Sequence, residues 1–228
     1  MKVTMQASIR FCLAGWLLCT LAAMAPAFAE ESSETREFVD LFNGKDLSGW
    51  VVEGTKEHGR EGKRMPVWTA ADGVIVCDGA GFGFLRCDRE VRDFVLKLEF
   101  RLQRGVNSGV GIRHGKFTGE RKSRPSFHGY EIQLLDDADK NPTKSSTGSL
   151  YRYVAPRAQA VKPAGEWNRL TIECRGPQIA VTLNDTLLHD VDQRTVPEIS
   201  DKPLSGYFSL QNHGGDVAFR NIRLKELE

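Results

Sequence analysis

Gly129-Tyr130-Glu131-Ile132-Gln133-Leu134-Leu135-Asp136 decides how this chain is read. Tyr130, Ile132 and Leu134 alternate with Glu131 and Gln133, a two-residue period that predicts a strand with its apolar face inward and Glu131 turned away from the core. Two earlier segments carry the same period. Phe94, Leu96, Leu98 and Phe100 alternate with Lys97, Glu99 and Arg101, and Val110 and Ile112 alternate with Gly109, Gly111 and Arg113. If these strands share one sheet, Gly109 and Gly111 leave a trough free of side chains, with Arg113 and Glu131 as opposite charges beside it. Such a trough is a floor for a polar ligand.

Outward from this centre the chain stays rich in short strands and turns. Asn43-Gly44 and Ser48-Gly49 are turn signals ahead of Trp50, which reads as a core or groove-edge anchor with sugar stacking as the alternative. Asp72-Gly73 introduces Val74-Ile75-Val76. Gly79-Ala80-Gly81-Phe82-Gly83-Phe84 lacks the strand-and-helix setting of a phosphate-binding loop, so it reads as close backbone packing. Residues 115–128 form a polar loop, and Ala138 to Ser149 a second one beside the central strand. Ile179, Val181 and Leu183 meet a turn at Asn184-Asp185, which predicts an antiparallel pair. In Gly206-Tyr207-Phe208-Ser209-Leu210-Gln211-Asn212-His213-Gly214-Gly215, Phe208 and Leu210 point to the core while Tyr207, Ser209 and Gln211 face a groove. The phase change between Phe219 and Ile222 predicts a bulge near Arg220-Asn221. No long helical period occurs, so the expected fold is an all-β sandwich.

The ends and the composition bound the function. Met1-Lys2, Arg10, the apolar run Phe11 to Met24 and Ala27-Phe28-Ala29 form the pattern of a secretory signal peptide cut after Ala29. The expected protein is exported, periplasmic or extracellular, with no retained transmembrane segment. Residues 30–37 are a polar approach segment and 38–228 one domain. Loss of Lys2 and Arg10 leaves 29 basic against 30 acidic residues, so nothing in the net charge calls for nucleic acid. The basic cluster Arg121-Lys122-Ser123-Arg124 reads as a solvated loop, or as the border of an anionic substrate site. Cys77, Cys87 and Cys174 remain after processing; a Cys77–Cys87 bridge across a hairpin is conceivable, and their spacing specifies no zinc site.

Phe42-Asn43-Gly44-Lys45-Asp46-Leu47-Ser48-Gly49-Trp50 strongly resembles the opening of the 3-keto-disaccharide hydrolase domain family (DUF1080). The match resumes at Asn107 to Arg113, Gly129 to Asp136, Thr147-Gly148-Ser149-Leu150-Tyr151, Gly165-Glu166-Trp167-Asn168, Gly206 to Gly214 and Val217 to Leu227. Ser149 stands where that family usually has alanine. The resemblance implies a concanavalin-like jelly roll acting on oxidised disaccharides or glycosides. It implies a groove with Arg113, Glu131, Gln133, Tyr151, Gln211 and His213.

A fold alone does not settle chemistry. The leading expectation is cleavage of a 3-keto-glycoside, by hydrolysis or by elimination followed by hydration. Glu131 is the base or metal-associated carboxylate and His213 the proton-transfer partner. Arg113 joins them as the catalytic group that steadies enolate charge, while Gln133, Tyr151, Gln211, Trp50 and Asp136 hold substrate. A ketone at C3 acidifies the C2 proton, which opens the eliminative route. Glu131 with Asp136 is the pair to test for ordinary glycoside hydrolysis. A divalent ion is a further option, drawn from Glu131, Asp136, His114 and His213, with no full ligand set evident. The alternatives are a non-catalytic carbohydrate-binding module and an envelope interaction protein.

Overall fold

The computed structural model describes residues 37–228, so the signal-peptide reading of 1–29 and nearly all of the approach segment lie outside the described residues. Fifteen strands follow one another: β1 (Val39–Asp40), β2 (Trp50–Gly54), β3 (Glu57–Arg60), β4 (Lys63–Pro66), β5 (Trp68–Ala71), β6 (Val74–Cys77), β7 (Gly83–Cys87), β8 (Phe94–Leu102), β9 (Asn107–His114), β10 (Tyr130–Leu135), β11 (Asn168–Arg175), β12 (Gln178–Leu183), β13 (Thr186–Asp192), β14 (Tyr207–Asn212) and β15 (Val217–Glu226). A single turn of α-helix, α1 (Pro125–His128), precedes β10.

The strands form a concanavalin-like jelly-roll sandwich. One sheet has eight strands, in the order β13-β12-β11-β8-β15-β6-β5 with β1 added on β15; the other has five, in the order β10-β9-β14-β7-β2. The β3-β4 hairpin stands apart as a two-stranded sheet. The core lies between the sheets, where Phe94, Leu96, Phe100, Leu170, Ile172 and Phe219 of one meet Leu85, Val110, Ile112, Tyr130, Ile132 and Phe208 of the other. Burial of this many large apolar side chains, each contributing roughly 1.5–3 kcal/mol, is what closes the sandwich.

The alternation of Tyr130 to Leu135 does form a strand, and Glu131 and Gln133 leave the core as expected. The Phe94 to Arg101 segment corrects the first reading: β8 lies in the eight-stranded sheet, across the core from β9 and β10, so it contributes nothing to the trough. β9 and β10 are direct neighbours, with Glu131 opposite Gly111 and Gln133 opposite Gly109. Cys77 and Cys87 end strands of opposite sheets, and all three cysteines are buried free thiols, which removes the hairpin bridge. The expected bulge in β15 is present: register shifts between Arg220 and Arg223, with Asn221 at φ 53°. The C-terminal strand sits inside the eight-stranded sheet between β8 and β6, not at its margin.

Candidate functional site

The glycines of β9 shape the outer face of the five-stranded sheet. A Cβ on Gly111 would lie 2.6 Å from Ser209 Oγ and 2.8 Å from the Pro125 ring, so only a hydrogen there lets α1 settle on the strand. A Cβ on Gly109 would meet the Glu131 side chain at 3.0 Å. The trough is therefore real, and Glu131 itself leans across it. The carboxylate passes over Gly109 to reach β14, where Gln211 Nε2 donates to Oε1 at 2.9 Å.

The edge of β10 recruits the next residues. Gln133 N donates to Ser149 O at 3.1 Å and Tyr151 N to Glu131 O at 2.8 Å, so the chain from Thr147 to Arg152 runs beside the strand. Thr147 anchors it through Asp137 and Leu135 O. This delivers Tyr151 and Arg152 to the same cleft as Glu131. From the opposite side, the segment before β10 brings Arg121, Arg124, Ser126 and Phe127. Lys202 holds that segment down: its Nζ donates to Phe127 O at 2.8 Å and Gly129 O at 2.6 Å.

The result is a cleft of about 250 Å³ lined by Glu131, Gln133, Tyr151, Gln211 and His213 together with Asn107, Phe82 and the three arginines 121, 124 and 152. Burial pushes the Glu131 carboxyl up to about 7, against the opposing pull of hydrogen bonds from Gln211 and Ser126 and of the Arg124 and Arg152 charges. That places a base near neutrality. Asn107 Oδ1, Gln133 Oε1, Gln211 Oε1 and Arg124 Nε are buried without a partner among the described residues. Donors and acceptors of this kind suit a ligand rich in hydroxyls. His213 stands at the rim, its ring 5.4 Å from that of Phe82.

Three expected site residues lie elsewhere. Arg113 is 0% exposed and turned away from the cleft: its guanidinium donates to Arg92 O, to Gly176 O at 2.7 Å and to Asp93. The cause is local. Arg113 has φ 52°, and β14 pairs Tyr207 with His114 but Ser209 with Gly111, so an extra residue in β9 reverses the alternation. His114 takes the outer position instead. Its Nδ1 donates to Gly115 O and its Nε2 accepts from Ser209 Oγ at 2.8 Å, while burial lowers its pKa to about 4 and keeps it neutral. Trp50 is a core anchor, donating to Leu41 O and meeting Phe208 edge-on. Asp136 accepts from Gly105 N and does not line the cleft.

Sequence reasoning did not single out Phe82, Asn107, Ser126, Phe127 or Arg152, and read Arg121 and Arg124 as part of a solvated loop or of the border of an anionic substrate site; both line the cleft. Among the described residues, no group of three or more His, Cys, Asp or Glu side chains is placed to hold a metal ion, so the set Glu131, Asp136, His114 and His213 does not assemble.

The outer face of the jelly roll thus carries a buried carboxylate among amides and arginines, lining a cleft. The chain belongs to the 3-keto-alpha-glucoside-1,2-lyase-like domain family, whose model matches residues 37–225. It is 27% identical over 244 residues to the 3-keto-disaccharide hydrolase of Bacteroides thetaiotaomicron, covering 84% of this chain and 79% of that protein. Two crystal structures of candidate glycosyl hydrolases from Parabacteroides distasonis share the fold. One is 26% identical with a TM-score of 0.66, covering 84% of this chain and 100% of the other. The second is 23% identical with a TM-score of 0.67, covering 84% and 94%. Among the described residues, no helix is long and apolar enough to cross a membrane.

Proposed function

We propose that the cleft binds a glycoside oxidised at C3 and that Glu131 opens its glycosidic bond by elimination. The observation that carries this is a single carboxylate, pushed up to about 7 by burial, in a cleft that no second carboxylate lines among the described residues. Ordinary glycoside hydrolysis uses two carboxyl groups about 5–9.5 Å apart, and Asp136 is not at hand to be the second. Elimination asks for one base. The 3-keto group makes the C2 proton acidic; Glu131 takes that proton, the electron pair passes through the enolate to form the C1=C2 bond, and the C1–O bond breaks. The departing oxygen then needs a proton, which His213 or Tyr151 can supply from the rim. Arg124 offsets the enolate charge. Addition of water across C1=C2 completes a net hydrolysis, which reconciles the lyase-like and hydrolase names of the relatives with one site.

A second reading has its own support. The unpartnered amide oxygens of Gln133, Gln211 and Asn107 would accept from sugar hydroxyls whether or not a bond is broken. A non-catalytic carbohydrate module saturates with sugar and gives no product.

The test is a product-resolved assay on matched 3-keto and unoxidised disaccharides with wild type and Glu131→Gln. Gln preserves size and hydrogen bonding but removes the base. The expected result is turnover of the oxidised sugar alone and a loss of roughly 10²–10⁴-fold in the variant with folding and binding retained. Wild-type activity should rise as pH passes through about 7, when the carboxylate loses its proton. Turnover by Glu131→Gln at the wild-type rate would remove the base assignment, and binding without product in wild type would leave the module. We place the reaction outside the cytoplasm on the strength of the leader at residues 1–29; Met1 found on the mature envelope protein would overturn that.

A further inference from the structure

The cleft carries more positive charge than its chemistry uses. Arg121, Arg124 and Arg152 all line it, and Glu131 is the one acidic side chain among its lining residues. Among the described residues none of the three arginines has a carboxylate within ion-pair distance. Aromatic rings hold them instead. Arg121 and Arg152 both stand on Phe127, at 5.0 and 4.3 Å from the ring centroid, and Arg124 stands on Phe82 at 4.1 Å. Ring faces fix the planes of the guanidiniums without neutralising them.

Two further features show that this arrangement is built against resistance. Arg152 holds φ 78°, a left-handed backbone that a bulky side chain rarely adopts, fixed by its N–H donating to Lys144 O at 2.8 Å. Burial, with the nearby Arg152 charge adding to it, lowers the Lys202 pKa to about 8. Three guanidiniums are crowded round one opening, and Arg124 Nε is buried there without a partner among the described residues. An enolate spreads one negative charge, which Arg124 offsets. Arg152 and Arg121, which share the Phe127 ring, remain.

We propose that the mouth of the cleft binds an oxyanionic substituent, a carboxylate or a sulfate ester, carried by the glycoside, with Arg121 and Arg152 as its fork-shaped partners. This rests on the glycoside reading above but concerns which glycosides are chosen. Guanidiniums present paired N–H donors in the geometry that carboxylate and sulfate oxygens accept. The substrate class is then an acidic saccharide, such as a uronate-containing or sulfated disaccharide, in place of a neutral one.

The experiment measures equilibrium binding of unoxidised probes by titration calorimetry: methyl glucoside, methyl glucuronide and methyl glucoside 6-sulfate, each as both anomers, at low and at high sodium chloride. Wild type is expected to bind one of the anionic probes at least about tenfold more tightly than the neutral one, a preference that shrinks as salt rises. The two anionic arms tell carboxylate from sulfate. In Arg121→Gln/Arg152→Gln the ratio of anionic to neutral affinity should fall close to one, while Arg152→Lys, which keeps the charge, should restore part of it. Thermal melting confirms that the variants fold; Arg121→Gln alone, at an exposed position, serves if the double variant does not. Equal binding of neutral and anionic probes by wild type would overturn the proposal, as would a preference that survives in the folded double variant. Because the readout is affinity without turnover, these outcomes leave the elimination by Glu131 untouched. Likewise, a preference for anionic sugars in a protein that forms no product would uphold the proposal and sink the elimination.

Discussion

The two sheets of the sandwich share one core and treat their outer faces in opposite ways. In the eight-stranded sheet, β8, β11 and β12 alternate buried with accessible positions, and ion pairs such as Arg169–Asp185 and Arg175–Glu173 stand in solvent. In the five-stranded sheet, β7, β9, β10 and β14 are buried nearly throughout, on both faces. The second face is covered by Pro125, by Phe117 whose N–H donates to Glu53, and by the aromatic cluster of Phe82, Phe84 and Phe117. Polar residues are trapped beneath: Arg86, Glu131, Gln133, Ser209 and Gln211. Alternation thus tells which side chains leave the core, but not whether they leave into water or under a loop. Polar groups in the second situation have raised stakes, because each must find a partner or a ligand.

The largest expected effect that sharpens this contrast is at Glu53. Its Oε1 accepts from Arg86 Nε at 2.6 Å, with the two side chains 9% and 3% exposed. Arg86 also donates to Asp88 and Cys87 O and lies over the Tyr207 ring. This end of the face is closed by internal pairing, in contrast to the open cleft round Glu131. Glu53→Gln leaves a buried guanidinium with only the exposed Asp88 carboxylate, and should cost roughly 3 kcal/mol. For a domain of this size that is a fall of about 6–12 °C in melting temperature. A change within 2 °C, on the order of 1 kcal/mol or less, would show that the face is wetter than its burial implies.

How much of this was legible follows from the same contrast. The strands of the core were readable because Tyr130, Ile132, Leu134, Phe208 and Leu210 keep a strict period, and burial of one face is all that such a period encodes. Glu131, Gln133 and Gln211 were placed correctly for the same reason. Arg113 was not, because one left-handed residue reverses the parity of β9 and no turn-forming residue marks the spot. Arg152 and Phe127 were hidden because their places depend on backbone pairing to the edge of β10 and on Lys202 tying down residues 126–129, contacts between distant parts of the chain. Cys77 and Cys87 looked like hairpin partners because they lie close in the chain, yet the segment between them crosses from one sheet to the other. The arginine pair at 121 and 124 was visible as a charge cluster, and only the aromatic rings beneath it distinguish a fixed cluster from a solvated one.

A second effect separates the cleft from the rest of the covered face by pH. Glu131 has its folded pKa raised from 4.5 to about 7, so its protonation favours the fold: that contribution is fully present below pH 4.5 and is lost as pH rises through 7. His114 and His189 have folded values lowered to about 4 by burial, so they act in the other direction, and stability is lost as pH falls from 6.5 towards 4. Comparing wild type with Glu131→Gln cancels the histidines. The variant should match wild type near pH 4.5 and exceed it by up to about 3 kcal/mol at pH 8, in denaturant unfolding followed across that range. A constant difference between the two proteins would mean that the carboxylate is solvated, and with it the case for a tuned base would fail.

The smallest effect belongs to the other sheet and is the counterpart of Glu53. Arg169 Nη2 lies 2.5 Å from Asp185 Oδ2, a contact as short as the Arg86–Glu53 pair, but the side chains are 64% and 80% exposed. Distance alone would rank the two pairs as equals. Solvent decides otherwise, since both ions keep their hydration in the broken state and salt screens what remains. Asp185 sits at φ 69°, which asparagine tolerates well, so Asp185→Asn removes the charge with little change in backbone preference. The expected cost is under about 0.5 kcal/mol, a shift of at most about 2 °C, and smaller still in 0.5 M sodium chloride. A loss comparable to that of Glu53→Gln would mean that the outer face of the eight-stranded sheet is covered in the working protein. The asymmetry between an outer face that holds a covered cleft and one that meets only water would then have to be given up.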